Sequence, residues 1–244
     1  MHTPTRQLPV LLACVLLGAS FSPPAAFAQP GPCCVVSDNG SGTADHPPGC
    51  PNGYSGQMAI VTGLPAGATI DIAAVIVNFA GLTQVPGGNL GGNRENWSAV
   101  APLMLTGTGA LLGFNRNINL PISAGESHSA PRIPFSPSQS FATDLWSLQG
   151  QIVGDPDFDL LRITAGSGFG YPSPGGTIFT QSGGGWAVDS FFDITYRIDF
   201  IGAPGSPLAG HSGSTVGTYR FGMCHDRPTP ARRATWGSVK SFYR

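Results

Sequence analysis

The segment AVDSFFDITYRIDF, Ala187 to Phe200, is the best-patterned part of the chain. Phe192, Ile194, Tyr196, Ile198 and Phe200 share one parity, and Asp193, Thr195, Arg197 and Asp199 share the other. A period of two marks an extended strand with one face on a core and one in water. On that reading the aspartates, Asp189 included, are the wet side of a strand, and Arg197 on the same face offsets their charge. Spacing argues against a catalytic pair. Asp193 and Asp199 would lie roughly 20 Å apart in an extended chain, whereas the paired carboxylates of glycosidases stand about 5–9.5 Å apart.

The same punctuation runs through the body of the chain. QMAIV (57–61), TIDIAAVIVNF (69–79), WSAVAPLMLTGTG (97–109), ALLGFNRNINLPI (110–122), FATDLWSLQGQIV (141–153), FDLLRITAG (158–166), TIFTQ (177–181) and TVGTYRFGM (215–223) are short apolar runs. Their β-branched and aromatic content reads as strands. Between them stand turn signals such as GLPAGA, VPGGNLGGN (85–93), SAGESHSAPRIPFSPSQS (123–140) and GAPGSPLAGHSGS (202–214). Within 110–122, Leu112, Phe114, Ile118, Leu120 and Ile122 take the core parity and Asn115, Asn117 and Asn119 the other. Arg116 breaks the apolar side and is expected to reach an edge. No stretch of ten or more residues keeps helical spacing without glycine or proline. The expectation is an all-β fold, an antiparallel β-sandwich of about nine strands over residues 57–225.

Composition changes this picture in three ways. Charged residues make up only 10% of the chain, against about 25% in ordinary soluble proteins. The 35 glycines and 23 prolines sit between the apolar runs, so they read as turns. The formal net charge is −1, Lys240 is the lone lysine, and the body shows no basic patch. No nucleic-acid partner is expected.

Residues 1–28 read as a signal peptide. Arg6 precedes the apolar LPVLLACVLLGASF, and AFA stands before Gln29. The run is too short, and too soon followed by Pro23-Pro24, for a spanning helix. LLAC also resembles a lipoprotein box at Cys14, but cleavage there would fall inside the apolar run. The expected location is secreted or cell-surface. Cys33, Cys34, Cys50 and Cys224 then remain, and an even number in an exported chain suggests disulfides. Cys33 and Cys34 are expected to pair with Cys50 and Cys224 in either order. One bridge would staple the loop of residues 29–56, and the other would tie the N-terminus to the last strand. The rival is a metal site built from His46 and Cys50 or from Cys224-His225-Asp226, whose spacings match no zinc template.

Candidate chemistry is sparse. GDPDFD places Asp155, Asp157 and Asp159 at i, i+2 and i+4, and hard cations take such oxygen sets. The functional reading is a calcium site and the plain one a turn with an exposed strand start. An EF-hand would need glycine where Leu160 stands and glutamate where Gly166 stands. GHSGS (210–214) nearly matches a nucleophile elbow, but Ser214 replaces its final glycine and a strand, not a helix, follows. His46 and His128 lie in predicted loops without partners at ligand spacing. Residues 226–244 form a basic, aromatic tail in which Trp236, Lys240, Phe242, Tyr243 and Arg244 are candidates for docking to an envelope component or to sorting machinery. A plain tail is the alternative.

GLPAGATI, LMLTGTG and AVDSFFDITYRIDF, in this order over residues 57–221, resemble an uncharacterised β-rich module of secreted bacterial proteins with GLPxGT, LTGT and DSFFD motifs. TWGSVKSFYR resembles the WGxxK-type tails of some exported bacterial proteins. The resemblance implies an exported bacterial β protein and carries no catalytic residues. The function expected is a structural or binding module of the cell surface, envelope or matrix, without catalytic activity. The alternative is a secreted hydrolase or a calcium-assisted glycan-binding domain that uses an exposed Trp97, Trp146 or Trp186.

Overall fold

A computed structural model describes residues 34–223. The fold is all-β and antiparallel, as the alternation implies, with ten strands in one continuous sheet. They are β1 (Val35–Val36), β2 (Tyr54–Ile60), β3 (Ile70–Pro86), β4 (Asn93–Gly107), β5 (Asn115–Ser129), β6 (Ser138–Val153), β7 (Phe158–Ala165), β8 (Pro174–Ser182), β9 (Gly185–Gly202) and β10 (Ser212–Gly222). Pairing follows β1-β9-β10-β2-β3-β4-β5-β6-β7, and β7 pairs again with β9. The sheet therefore closes on itself. β8 completes the wall where β7 ends, lying between Ser138–Asp144 of β6 and Gly185–Phe192 of β9. Closure leaves few free edges, the exposed feature that makes β proteins prone to stick to one another.

Parity decides what fills the interior. Phe192, Ile194, Tyr196, Ile198 and Phe200 are buried, and they belong to one core cluster with Ile72, Leu103, Leu105, Leu120, Leu161 and Phe221 from the other walls. Only a void of about 20 Å³ remains at the centre. On the outward face of β9, Asp193 accepts two bonds from Arg220 on β10, both 2.7 Å. Asp199 pairs with Arg162 on β7 at 3.0 Å and with Arg197 at 2.8 Å. Arg197 thus offsets Asp199, while a neighbouring strand supplies the partner of Asp193.

Three segments depart from the pattern-based expectation. The 123–140 segment is not one long loop, because β5 runs to Ser129 and β6 begins at Ser138. Its polar residues hid the strand. Ser127, His128 and Ser129 are buried and hydrogen-bonded instead of solvated. Leu112 has the core parity but stands 86% exposed, because a 3-10 turn over Gly109–Leu111 precedes β5 and resets the alternation. The N-terminal segment is more than a stapled loop. β1 pairs with β9, and Thr43, Ala44 and His46 are buried.

Two local breaks shape the outer surface. Pro102 has no amide proton to give, and the β3–β4 ladder carries no pairs between Ala74–Leu103 and Val77–Val100. β2 and β10 share a single register pair, Ser55 with Gly222. Side chains close the rest of that seam. The Thr215 hydroxyl accepts from the amides of Val61 and Thr62, and the Tyr196 hydroxyl accepts from the Ala59 amide. Gly217 makes room for that phenol, since a Cβ there would stand 2.5 Å from its oxygen.

Candidate functional site

The acidic run GDPDFD does not gather around one point. Asp155 and Asp157 both turn to Arg116 on β5, whose Nη2 lies 2.7 Å from Asp155 and whose Nε lies 2.8 Å from Asp157. Asp155 also accepts the Asp157 amide and so holds the turn into β7. Asp159 is exposed. Arg116 reaches an edge as expected, and what it finds there are the very carboxylates that read as calcium ligands. Among the described residues no group of three His, Cys, Asp or Glu is placed to hold a metal ion. Addition of calcium is therefore expected to leave the thermal unfolding midpoint unchanged, and Arg116→Ala to lower stability by roughly 1 kcal/mol. Calorimetry with calcium and with excess chelator checks both, and a calcium-dependent rise would mean that the ion displaces the guanidinium.

Trp97, Trp146 and Trp186, the tryptophans among the described residues, do not form an exposed binding face. Trp97 and Trp186 are 4% and 1% exposed, and their indole N–H groups donate to Ser127 and Asp38. Trp97 lies flat on Gly125, where any side chain would collide with its ring. Trp146 is half-buried and stacks on His128 at 4.8 Å. His128 has partners that its sequence neighbourhood did not suggest. Its ring nitrogens meet Glu126 at 2.9 Å and Asn89 at 2.7 Å. Asn89 and Ser167 in turn donate to Asp144. This cluster stands where β6 changes partner from β8 to β7, and it satisfies polar groups around that break. In the GHSGS loop, neither His211 nor Ser212 meets a carboxylate among the described residues.

Two buried groups carry electrostatics that the sequence did not signal. Glu95 on β4 is fully buried. Ser129 donates to it at 2.8 Å, and Arg132 stands 3.6 Å away. Burial pushes Glu95 up to about 7, against the pull of Ser129 and Arg132. Arg132 is itself lowered, again chiefly by burial. It donates to the Ala44 carbonyl at 2.8 Å and lies over the Phe141 ring at 5.0 Å. Thr43 donates to Gln139 at 2.6 Å, and Gln139 donates back to the Gly42 carbonyl. The N-terminal segment is thus clamped onto one end of the closed sheet.

The second group is His46, wholly buried between Phe141 and Phe192. Its Nε2 meets the Thr177 hydroxyl, which meets Ser190, which meets Tyr54. Burial pushes His46 down to about 3 and raises the Tyr54 phenol. The chain of hydroxyls ending on an imidazole has the composition of a nucleophilic relay. None of its four members is more than 2% exposed, so no substrate atom can reach it.

The open surface is chemically different. A concavity of about 530 Å³ lies over the Pro102 break, lined by Ser55, Gln57, Val75, Met104, Asn117 and Asn119 among others. A second, of about 420 Å³, adjoins it at the β2–β10 seam, where Tyr196, Tyr219 and Asp71 line it. Both include Gln57, Ala73 and Met104. Together they form a trough across the outer face of β10, β2, β3, β4 and β5, and Asp71 is the lone carboxylate in its lining.

The class this defines is a closed antiparallel β protein with a filled apolar interior and a near-neutral outer trough. No protein-family model, curated protein or solved structure matches the chain. Cys34 and Cys50 are joined by a disulfide, a bond consistent with an extracellular environment. Cys33, Cys224 and the tail candidates Trp236, Lys240, Phe242, Tyr243 and Arg244 lie outside the described residues.

Proposed function

We propose that this protein is an exported, non-catalytic structural or binding module of the cell surface, envelope or matrix, and that the outer trough is its recognition surface. One observation carries the reading. The titratable side chains withdrawn from solvent, Glu95, His46, His128, Asp144 and Arg132, are engaged with neighbouring protein groups, while the open concavities are lined by amides, hydroxyls, apolar residues, two tyrosines and a single carboxylate, Asp71. An enzyme needs titratable groups converging in a pocket that substrate can enter. A near-neutral trough with an apolar floor and an amide rim suits neutral polyhydroxylated ligands, the chemistry of matrix glycans. The disulfide and the closed sheet suit a module that works outside the cell.

Native affinity electrophoresis in gels containing neutral polysaccharides tests this. Retardation is expected with at least one neutral polymer. It should weaken about tenfold in Asn117→Ala and Met104→Glu, which alter exposed positions and leave the core intact. The polymer should show no new reducing ends. Release of reducing ends by the wild-type chain that survives both substitutions would overturn the non-catalytic reading. Retardation unaffected by either substitution would remove the trough from it.

A further inference from the structure

β2, β3, β4 and β5 turn alternate side chains outward, and their registers set these side chains in rows across the strands. Ala59, Asp71, Thr106 and Asn115 stand in one row, and Gln57, Ala73, Met104 and Asn117 in the next. Neighbours within a row are about 4.8 Å apart, and the rows are about 7 Å apart. The second row runs through both concavities, since Gln57, Ala73 and Met104 line both and Asn117 lines the larger. From the first row, Ala59, Asp71 and Thr106 line the smaller one. Asp71 is exposed, and its carboxylate has no hydrogen bond or ion pair among the described residues. No cation on these strands is free to balance it. Arg220 on β10 is spent on Asp193, Arg116 on β5 is spent on Asp155 and Asp157, and Arg94 on β4 is spent on Glu126. Its own row offers a methyl, a hydroxyl and an amide, and the next row offers amides and apolar groups.

We propose that Asp71 determines the specificity of the trough: it grips the vicinal hydroxyls of a neutral sugar and turns away glycans that carry carboxylates. The proposal rests on the reading of the trough as a recognition surface for neutral glycans and assigns the choice of glycan to one residue. An ionised carboxyl is an acceptor only, with two oxygens that can take two donors at once. Adjacent hydroxyls of a sugar ring supply that pair of donors, and such charge-assisted bonds are roughly twice as strong as neutral ones. A uronate would bring a second negative charge beside one that no cation offsets. An unpaired charge is one way in which a site rejects a wrong partner. The neighbours of Asp71 suit the same ligand. Ala59 beside it and Ala73 two residues along leave room for a ring above the sheet. Met104, 59% exposed, gives the C–H face of that ring an apolar contact. The Thr106 hydroxyl lies directly across from Asp71 and the Gln57 amide lies on its diagonal, where each can bond a further hydroxyl.

The test is native affinity electrophoresis near neutral pH in gels containing galactomannan, β-glucan or dextran, each beside its carboxymethyl derivative. The wild-type chain should bind at least one neutral polymer about tenfold more tightly than the carboxymethyl form of that polymer. Asp71→Asn keeps the size of the side chain and one acceptor oxygen, and it removes the charge. It should weaken binding of the neutral polymer several-fold and narrow the gap to about threefold or less. Salt at about 1 M, where the Debye length is about 3 Å, should narrow the wild-type gap in the same way. A gap set by the bulk of the carboxymethyl groups would persist both in Asp71→Asn and in salt. That result would overturn the role of Asp71 and leave the trough as a glycan surface, and equal wild-type binding of neutral and carboxymethyl polymers would do the same. No retardation by any of the three neutral polymers would remove the trough reading, and the role of Asp71 with it.

Discussion

Replacing Arg132 by methionine is expected to cost up to about 3–5 kcal/mol of folding stability at pH 8, where Glu95 is ionised in the folded chain, because it leaves that carboxylate buried without its cation. Glu95 is fully buried, with one oxygen held by Ser129 and the other without a hydrogen-bond partner among the described residues. Burial outweighs the attraction between the two charges, so Glu95 is raised and Arg132 lowered even with both present. Such a pair adds little net stability but is costly to halve. The double substitution Arg132→Met and Glu95→Gln should therefore recover most of the loss. The deficit of the single variant should also shrink toward pH 5, where Glu95 takes up a proton in the folded state. Urea unfolding of the two single variants and the double variant at pH 5 and pH 8 measures this. Equal losses at both pH values would show that Arg132 acts through its packing on Phe141 and its bond to Ala44, and not through charge.

His46 should dominate the acid limb of stability. Its folded-state value, about 3, lies below the ordinary 6.5. The unfolded chain therefore binds a proton that the folded chain refuses. Stability from this group is complete above pH 6.5 and is lost as the pH falls toward 3, by about 5 kcal/mol over the whole interval. Glu95 acts in the opposite sense. Its value is raised from 4.5 to about 7, so its contribution is complete below pH 4.5 and is lost as the pH rises through 7. Between pH 4.5 and 6.5 the two slopes oppose each other, and the wild-type profile should be flatter there than either group alone would make it. His46→Phe keeps an aromatic ring between Phe141 and Phe192 and removes the titration. Its stability should decline far less between pH 6.5 and 3, while Glu95→Gln should remove the decline toward pH 7. An unchanged acid limb in His46→Phe would place the acid sensitivity elsewhere, with the ion-paired carboxylates Asp193 and Asp199 next in line, since both are held below the usual carboxylate range.

Much of the molecule was legible in the residues alone. Strict alternation on β9 placed its five core side chains and its wet face, because a strand with one buried face repeats every two residues. Turn signals located most of the hairpins, because glycine and proline mark the positions where the chain must leave extended geometry. The even cysteine count left two pairings open for Cys34, and the Cys34–Cys50 bond is one of them. Alternation failed where polar residues are buried. Ser127, His128 and Ser129 read as loop, yet they are interior strand positions whose hydrogen bonds come from elements distant in sequence. The same is true of His46 and Glu95, whose local neighbourhoods carry no trace of their burial.

What the sequence determined by itself is periodicity and composition: an all-β chain, its strands, its turns and its low charge. These depend on neighbours two or three residues apart. Closure was decided only in the tertiary structure, when β7 met β9 across the ring and β8 took over where β7 ended. So was the meaning of GDPDFD, because Arg116 lies 39 positions from Asp155. Each is a contact between residues far apart in sequence, set by how the walls of the sheet come together, and no pattern confined to one strand encodes it.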